Sequence, residues 1–251
     1  MNTLIEFFEK GDHRIIDKWM HYFDIYERHL SDYRGKRINI LEIGISHGGS
    51  LQMWKEYFGE GSTIYGVDIN PECKKFEEDG IKIFIGSQSD KKFLKNLIEK
   101  IPKPDILIDD GGHMMKQQII TFEELFGYVK DKGIYICEDL HTSYWISHGG
   151  GYKRKGTFIE FSKNLIDKLN AWHSHQKNLI IDDKTKNIYG LHYYDSILVI
   201  EKREINRPFS KRTGTPSIEE VCDQDNRKSI GKVINNYYEA LLAKIRIASR
   251  L

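Results

Sequence analysis

Asp105-Ile106-Leu107-Ile108-Asp109-Asp110-Gly111-Gly112-His113 runs from an apolar segment into two carboxylates, two glycines and a histidine. A short apolar run bounded by Pro104 and Gly111 reads as a buried strand. In an open α/β sheet, ligands bind outside the carboxyl ends of the strands. Asp109, Asp110 and His113 are therefore placed where a ligand would lie. Gly133-Ile134-Tyr135-Ile136-Cys137-Glu138-Asp139 repeats the pattern, a strand ending in paired acids. Asp110 and Asp139 are 29 residues apart, about one strand–helix–strand repeat, so neighbouring strands would bring the two acids together. Four acids at two adjacent strand ends repel one another unless something positive lies between them.

Upstream, Ile38-Asn39-Ile40-Leu41-Glu42-Ile43-Gly44 is a strand running into a glycine, and Leu51, Met53, Trp54, Tyr57 and Phe58 suggest the helix that follows. Gly44, Gly48 and Gly49 do not make the G-x-G-x-x-G dinucleotide fingerprint. Thr63-Ile64-Tyr65-Gly66-Val67-Asp68 ends in an acid 24 residues after Gly44, a spacing suited to holding the ribose hydroxyls of an adenosine-containing cofactor. Ile81-Lys82-Ile83-Phe84-Ile85-Gly86 is a third strand, and Ser87 and Gln88 after it would face the same cleft. Ser89 or Asp90 caps the helix at 91–100.

Helices are expected at 115–130 and 157–170, and strands at 177–181 and 196–201. Residues 1–34 read as helical, with Ile15, Ile16, Trp19, Met20, Phe23 and Tyr26 forming one apolar stripe. The expected fold is α/β, a Rossmann-like sheet of about seven mostly parallel strands with helices on both faces. N-terminal helices precede it and a C-terminal helical extension follows. A domain over residues 1–205 and an arm with a helix over 206–251 are the expected division. The terminal helix at 227–251 would pack on its own domain or pair with a second copy of the chain.

Composition excludes several classes. Hydrophobic residues make up 39% and charged residues 30%, which fits a globular protein. A formal net charge of +1 gives no general attraction for nucleic acid or an anionic membrane. No run of about 18 apolar residues is present, and the N-terminus lacks the basic-then-apolar layout of a signal peptide, so a cytoplasmic protein is expected. Cys73, Cys137 and Cys222 are odd in number and widely spaced, which argues against disulfides or a cysteine zinc site.

Leu41-Glu42-Ile43-Gly44, Asp68, Gly86-Ser87-Gln88 and Asp109 to His113 together resemble the class I S-adenosylmethionine-dependent methyltransferases. With Glu138-Asp139-Leu140-His141-Thr142-Ser143-Tyr144-Trp145, the chain is similar to sugar O-methyltransferases of the macrocin and mycinamicin type, a group related to proteins named for cephalosporin hydroxylation. The resemblance covers residues 10–205 or so and leaves 206–251 outside. It implies S-adenosylmethionine as cofactor, held by Glu42, Gly44, Ser50, Asp68, Ser87, Gln88 and Asp109. It implies magnesium held by Asp110 and Asp139, with Glu27 the nearest match for a third carboxylate before the first strand. His113 matches the family's base, beside Asp110, with His141 a second base or substrate ligand.

Each of these has a purely structural alternative, such as a helix cap for His113 or packing for His141. Tyr144 and Trp145 would stack on a sugar ring or fill core. The implied reaction is methyl transfer to a hydroxyl of a sugar or related polyhydroxylated acceptor, in capsule or natural-product synthesis. A phosphorylated or phosphoramidate acceptor meeting Lys153, Arg154 and Lys155 is one alternative, and a non-catalytic nucleoside-binding scaffold is another. An iron oxygenase favours two histidines and one carboxylate, and carboxylates dominate here.

Overall fold

The computed structural model describes residues 3–218, together with Tyr237, Tyr238 and Leu241. The chain divides into two compact units, Met1–Pro208 and Phe209–Leu251. Residues 203–218 contain no helix or strand, and Tyr237, Tyr238 and Leu241 are helical. The rest of the terminal helix expected at 227–251 lies outside the described residues.

The first unit opens with helices α1 (Leu4–Lys10) and α2 (Tyr22–Leu30). Strands and helices then alternate as β1 (Asn39–Ile43), α3 (Gly49–Phe58), β2 (Thr63–Asp68), β3 (Ile81–Ile85), α4 (Lys91–Ile98), β4 (Ile106–Asp109), α5 (Met115–Leu125) and β5 (Ile134–Cys137). The last elements are α6 (Phe158–Asn170), α7 (Asp183–Asn187), β6 (Ile188–Tyr194) and β7 (Ile197–Lys202). The seven strands form one sheet in the order β3-β2-β1-β4-β5-β7-β6. The first five named in that order are parallel, while β7 runs antiparallel to both β5 and β6.

Alternation along each strand explains the layers. Ile40, Ile106, Ile108, Ile134, Ile136 and Val199 enter the core shared with α1, α2 and α3. Leu41, Leu107, Tyr135, Cys137 and Leu198 enter the opposite core, shared with α4, α5 and α6. Successive side chains point to opposite faces, so a strand buried on both faces reads as a continuous apolar run. Asp90 caps α4 by accepting hydrogen bonds from the Lys92 and Phe93 amides at 2.9 and 3.2 Å.

Two expectations are corrected. Residues 177–181 are not a strand, and Ile180 is 67% exposed. The sixth strand is instead β6, which is more polar because, among the described residues, it is an edge strand that pairs only with β7, through a two-residue connection. Residues 1–34 are not one helical stretch either. Between α1 and α2, residues 11–21 form an irregular strap, leaving Ile15, Trp19 and Met20 exposed at 65%, 54% and 49%. No helix among the described residues is long and apolar enough to cross a membrane.

Candidate active site

Strand order reverses between β1 and β4, and a sheet of this kind opens its crevice at that point. The register pairs Ile43 with Asp109, which brings Gly44 beside Asp110. Gly44 has φ 87°, and a Cβ there would collide with the Asp110 carbonyl, so the two strand ends meet only because this residue is glycine. Above them is a cleft of about 930 Å³.

One end of the cleft is lined by Gly44, Ser46, Ser50, Asp68, Ser87 and Gln88. Asp68 Oδ2 accepts hydrogen bonds from the Ile45 and Ser46 amides, each at 3.0 Å, which fixes the turn after β1. Glu42 and Asp109 lie behind this wall rather than in it. Glu42 is fully buried and accepts from Ser50 Oγ at 2.9 Å and Trp54 Nε1 at 3.1 Å. Burial pushes its carboxyl up to about 7. Asp109 accepts from Gln88 Nε2 at 2.9 Å and is also raised to about 7 by burial. Gln88 Oε1 accepts from the Gly112 amide at 2.8 Å, so one buried amide couples β3, β4 and the glycine turn.

The other end holds Asp110, His113, Glu138 and Asp139. His113 Nε2 lies 3.4 Å from Asp139 Oδ2 and 3.8 Å from Asp110 Oδ1. His113 and Asp139 both have left-handed backbone, φ 51° and 55°. Non-glycine residues held there are strained, and such strain clusters at functional positions. Burial lowers the His113 imidazole below its ordinary value, with Asp139 opposing the shift, so the ring is neutral at neutral pH. Its Nδ1 is buried without a hydrogen-bond partner among the described residues.

The positive group among the acids comes from the strap. Lys18 Nζ lies 2.5 Å from Asp110 Oδ2 and 2.7 Å from Glu138 Oε2, and its side chain is 3% exposed. Burial alone would depress this ammonium, but Asp110 and Glu138 hold its pKa well above the usual lysine value. The Tyr26 hydroxyl donates to Glu138 Oε1 at 2.6 Å, and the Tyr22 hydroxyl donates to Asp139 Oδ1 at 2.8 Å. Even so, burial raises Asp110 to about 7 and Glu138 to about 8. One ammonium does not offset this much buried acid. Asp110, His113 and Asp139 each offer a ligand atom, all within 4.8 Å of one another. Two carboxylates with oxygens facing one point suit a hard divalent cation such as magnesium.

Asp110, Asp139 and His113 are thus brought together as expected, but Glu27 is not with them. It accepts from the Tyr57 hydroxyl at 2.8 Å and the Leu4 amide at 3.3 Å, on the side of α2 facing α1 and α3. Tyr22 and Tyr26, four residues apart, share the face toward the acids, and Glu27 stands about 100° further round. His141 pairs through Nδ1 with Ser196 Oγ and lies outside the cleft lining. It is edged by Trp19 and Trp145, with ring centroids 5.7 and 4.7 Å away. Trp19 lines the cleft; Tyr144 and Trp145 do not, and are about half exposed. Lys18, Trp19 and Glu138 were not assigned from sequence. Repulsion among the four acids signals a positive partner but does not say which residue supplies it.

No protein-family model matches the chain. Among curated proteins, it is 36% identical to demethylmacrocin O-methyltransferase of Streptomyces fradiae over 205 residues, 74% of this chain and 50% of that protein. It is 34% identical to the 8-demethyl-8-alpha-L-rhamnosyl tetracenomycin-C 2'-O-methyltransferase of Streptomyces olivaceus over 198 residues, 74% of this chain and 52% of that protein. The chain spans about half the length of the curated relatives it matches. Among solved structures, the methyltransferase MycE of the mycinamycin biosynthetic pathway, in complex with Mg, SAH and mycinamycin VI, superposes with a TM-score of 0.74 at 31% identity. That match covers 81% of this chain and 54% of MycE.

Proposed function

The chain is a relative of the macrocin- and mycinamicin-type sugar O-methyltransferases and shares their class I S-adenosylmethionine-dependent methyltransferase fold; from that kinship we propose that it methylates a sugar hydroxyl on a small natural product. The observation that carries this reading is the two-ended cleft. Gly44, Asp68 and Gln88 form a nucleoside-type cradle at one end, and Asp110, His113 and Asp139 converge at the other.

S-adenosylmethionine, when bound, supplies a methyl group on a sulfonium, and its departing thioether is neutral, so no acid is needed at that end. Asp110 and Asp139 would hold the magnesium ion, which lowers the pKa of a nearby hydroxyl. A sugar hydroxyl is a weak nucleophile, and a neutral imidazole within reach takes its proton as attack develops. His113 is that group, and the proton arrives at Nε2, facing Asp139 Oδ2 at 3.4 Å. The resulting imidazolium is stabilised by Asp139, as in other base–carboxylate pairs. Lys18 bridges Asp110 Oδ2 and Glu138 Oε2, leaving Asp110 Oδ1 toward His113, and keeps the acid pair ordered. Trp19 offers an apolar face to the acceptor.

The relatives' names point to sugars of glycosylated natural products, and a capsule saccharide has no such support. Lys153, Arg154 and Lys155 do not line the cleft, so nothing favours a phosphorylated acceptor. The test is methyl transfer from S-adenosylmethionine to a panel of glycosylated macrolides and aromatic polyketides, read by mass spectrometry. His113→Ala is expected to lower kcat by about 10²-fold or more while leaving S-adenosylmethionine affinity unchanged. Unchanged turnover in that variant would remove His113 from the base role. No transfer by the wild-type chain to any hydroxylated acceptor would favour the scaffold reading.

A further inference from the structure

We propose that His29, His192 and Glu201 form a second divalent-cation site, of zinc-type preference, on the antiparallel edge of the sheet and apart from the cleft. Each residue offers one ligand atom, and the three atoms lie within 4.8 Å of one another. A tetrahedral zinc ion with bonds of about 2.0–2.1 Å holds its ligands roughly 3.4 Å apart, so small side-chain rotations suffice to close the set. Two imidazoles and one carboxylate suit zinc and its neighbours, whereas magnesium prefers an all-oxygen shell.

The local fold builds this cluster. His192 on β6 faces Val199 in the register, and Gly190 faces Glu201, so His192 and Glu201 are diagonal neighbours on one face. The strand pairing is irregular between Ile188 and Gly190. A Cβ at Gly190 would stand 3.1 Å from His192 Nε2, so the glycine leaves the room through which His192 reaches Glu201 Oε1 at 2.6 Å. His29, in the last turn of α2, brings its ring within 4.9 Å of the His192 ring, centroid to centroid. Its Nε2 lies 2.8 Å from the Tyr194 hydroxyl, which orients the imidazole as outer-shell partners orient metal-bound histidines. The side chains of His192 and Glu201 are 38% and 32% exposed, so an ion can enter from solvent. Three ligands leave the fourth position to water.

An ion there would tie the end of α2 to β6 and β7. That same helix carries Tyr22 and Tyr26 onto Asp139 and Glu138. The site does not depend on the methyl-transfer reading.

The test removes the cleft ligands first. The full chain carrying His113→Ala and Asp139→Asn is titrated with Zn2+ by calorimetry and with Co2+ by visible absorption. A single equivalent is expected to bind, with cobalt bands of a low-coordinate nitrogen and oxygen site, and to raise Tm. Adding His192→Ala should weaken Zn2+ binding by about tenfold or more and abolish both the cobalt bands and the Tm rise. If that variant fails to fold, His29→Gln makes the same measurement from the helix side. Binding that survives either substitution unchanged, or no Zn2+ binding by the parent double variant, would overturn the proposal.

Discussion

Lys18→Met is the substitution with the largest consequence for the acid cluster. The side chain is 3% exposed and its ammonium contacts Asp110 and Glu138 at 2.5 and 2.7 Å. Removing one partner of a buried ion pair costs about 3–5 kcal/mol, because the other charge stays buried and unpaired. Here the cost depends on pH. Burial raises Asp110 to about 7 and Glu138 to about 8 even with Lys18 present, and without it both go higher. A carboxyl raised on folding contributes stability that is fully present below its unfolded value and lost as pH rises through its folded value. Each such carboxyl removes about 1.4 kcal/mol per pH unit across that window, so the pair approaches about 3 kcal/mol per unit. In the wild type the loss levels off as Glu138 ionises, while in Lys18→Met it continues to higher pH. Urea unfolding in EDTA at pH 6 and pH 8 reads the difference directly. The variant should be destabilised at pH 8 by about 3–5 kcal/mol and by clearly less at pH 6. Equal destabilisation at the two pH values, or a loss at pH 8 under about 1 kcal/mol, would refute the claim that Lys18 is the counter-charge of a buried acid pair.

Gln88→Leu leaves the Gly112 amide and one Asp109 oxygen without their partner, and denaturant unfolding should show a loss of about 1–3 kcal/mol. Trp19→Ala should raise the acceptor KM with little change in kcat or in S-adenosylmethionine affinity, because Trp19 lines the cleft next to Lys18, whose ammonium holds the acid cluster; steady-state kinetics with both substrates varied makes the separation. The acid limb of kcat/KM should lie below the ordinary imidazole value of 6.5, since His113 must be neutral to accept a proton and burial lowers its pKa; a limb above 6.5 in a pH–rate profile would contradict that environment.

The sheet was legible because its strands are buried on both faces. Ile106-Leu107-Ile108 and Ile134-Tyr135-Ile136 are unbroken apolar runs, and each ends in acids at the edge where ligands bind. The convergence of Asp110 and Asp139 follows from β4 and β5 being parallel neighbours. The strap was not legible. Ile15, Ile16, Trp19 and Met20 repeat at helical spacing, yet the segment is irregular and Trp19 and Met20 face the cleft. Lys18 meets acids 92 and 120 residues away, and a contact at that separation leaves no local pattern. Glu27 precedes β1 in sequence as the expected third carboxylate would, but helical rotation turns it onto Tyr57. The edge strand β6 carries no unbroken apolar run for a related reason: paired, among the described residues, with β7 alone, it can hold polar groups at His192 and Tyr193.

The central claim is that the cleft has two functional ends, a cofactor cradle at Gly44, Asp68 and Gln88 and an acceptor end at Asp110, His113 and Asp139. Calorimetric titration with S-adenosylmethionine in EDTA tests it most directly, on the wild-type chain and on His113→Ala/Asp139→Asn. The expected result is binding in the micromolar range by both, with the two dissociation constants within about threefold of each other. No binding by the wild-type chain, or binding lost in the variant, would contradict the division of the cleft.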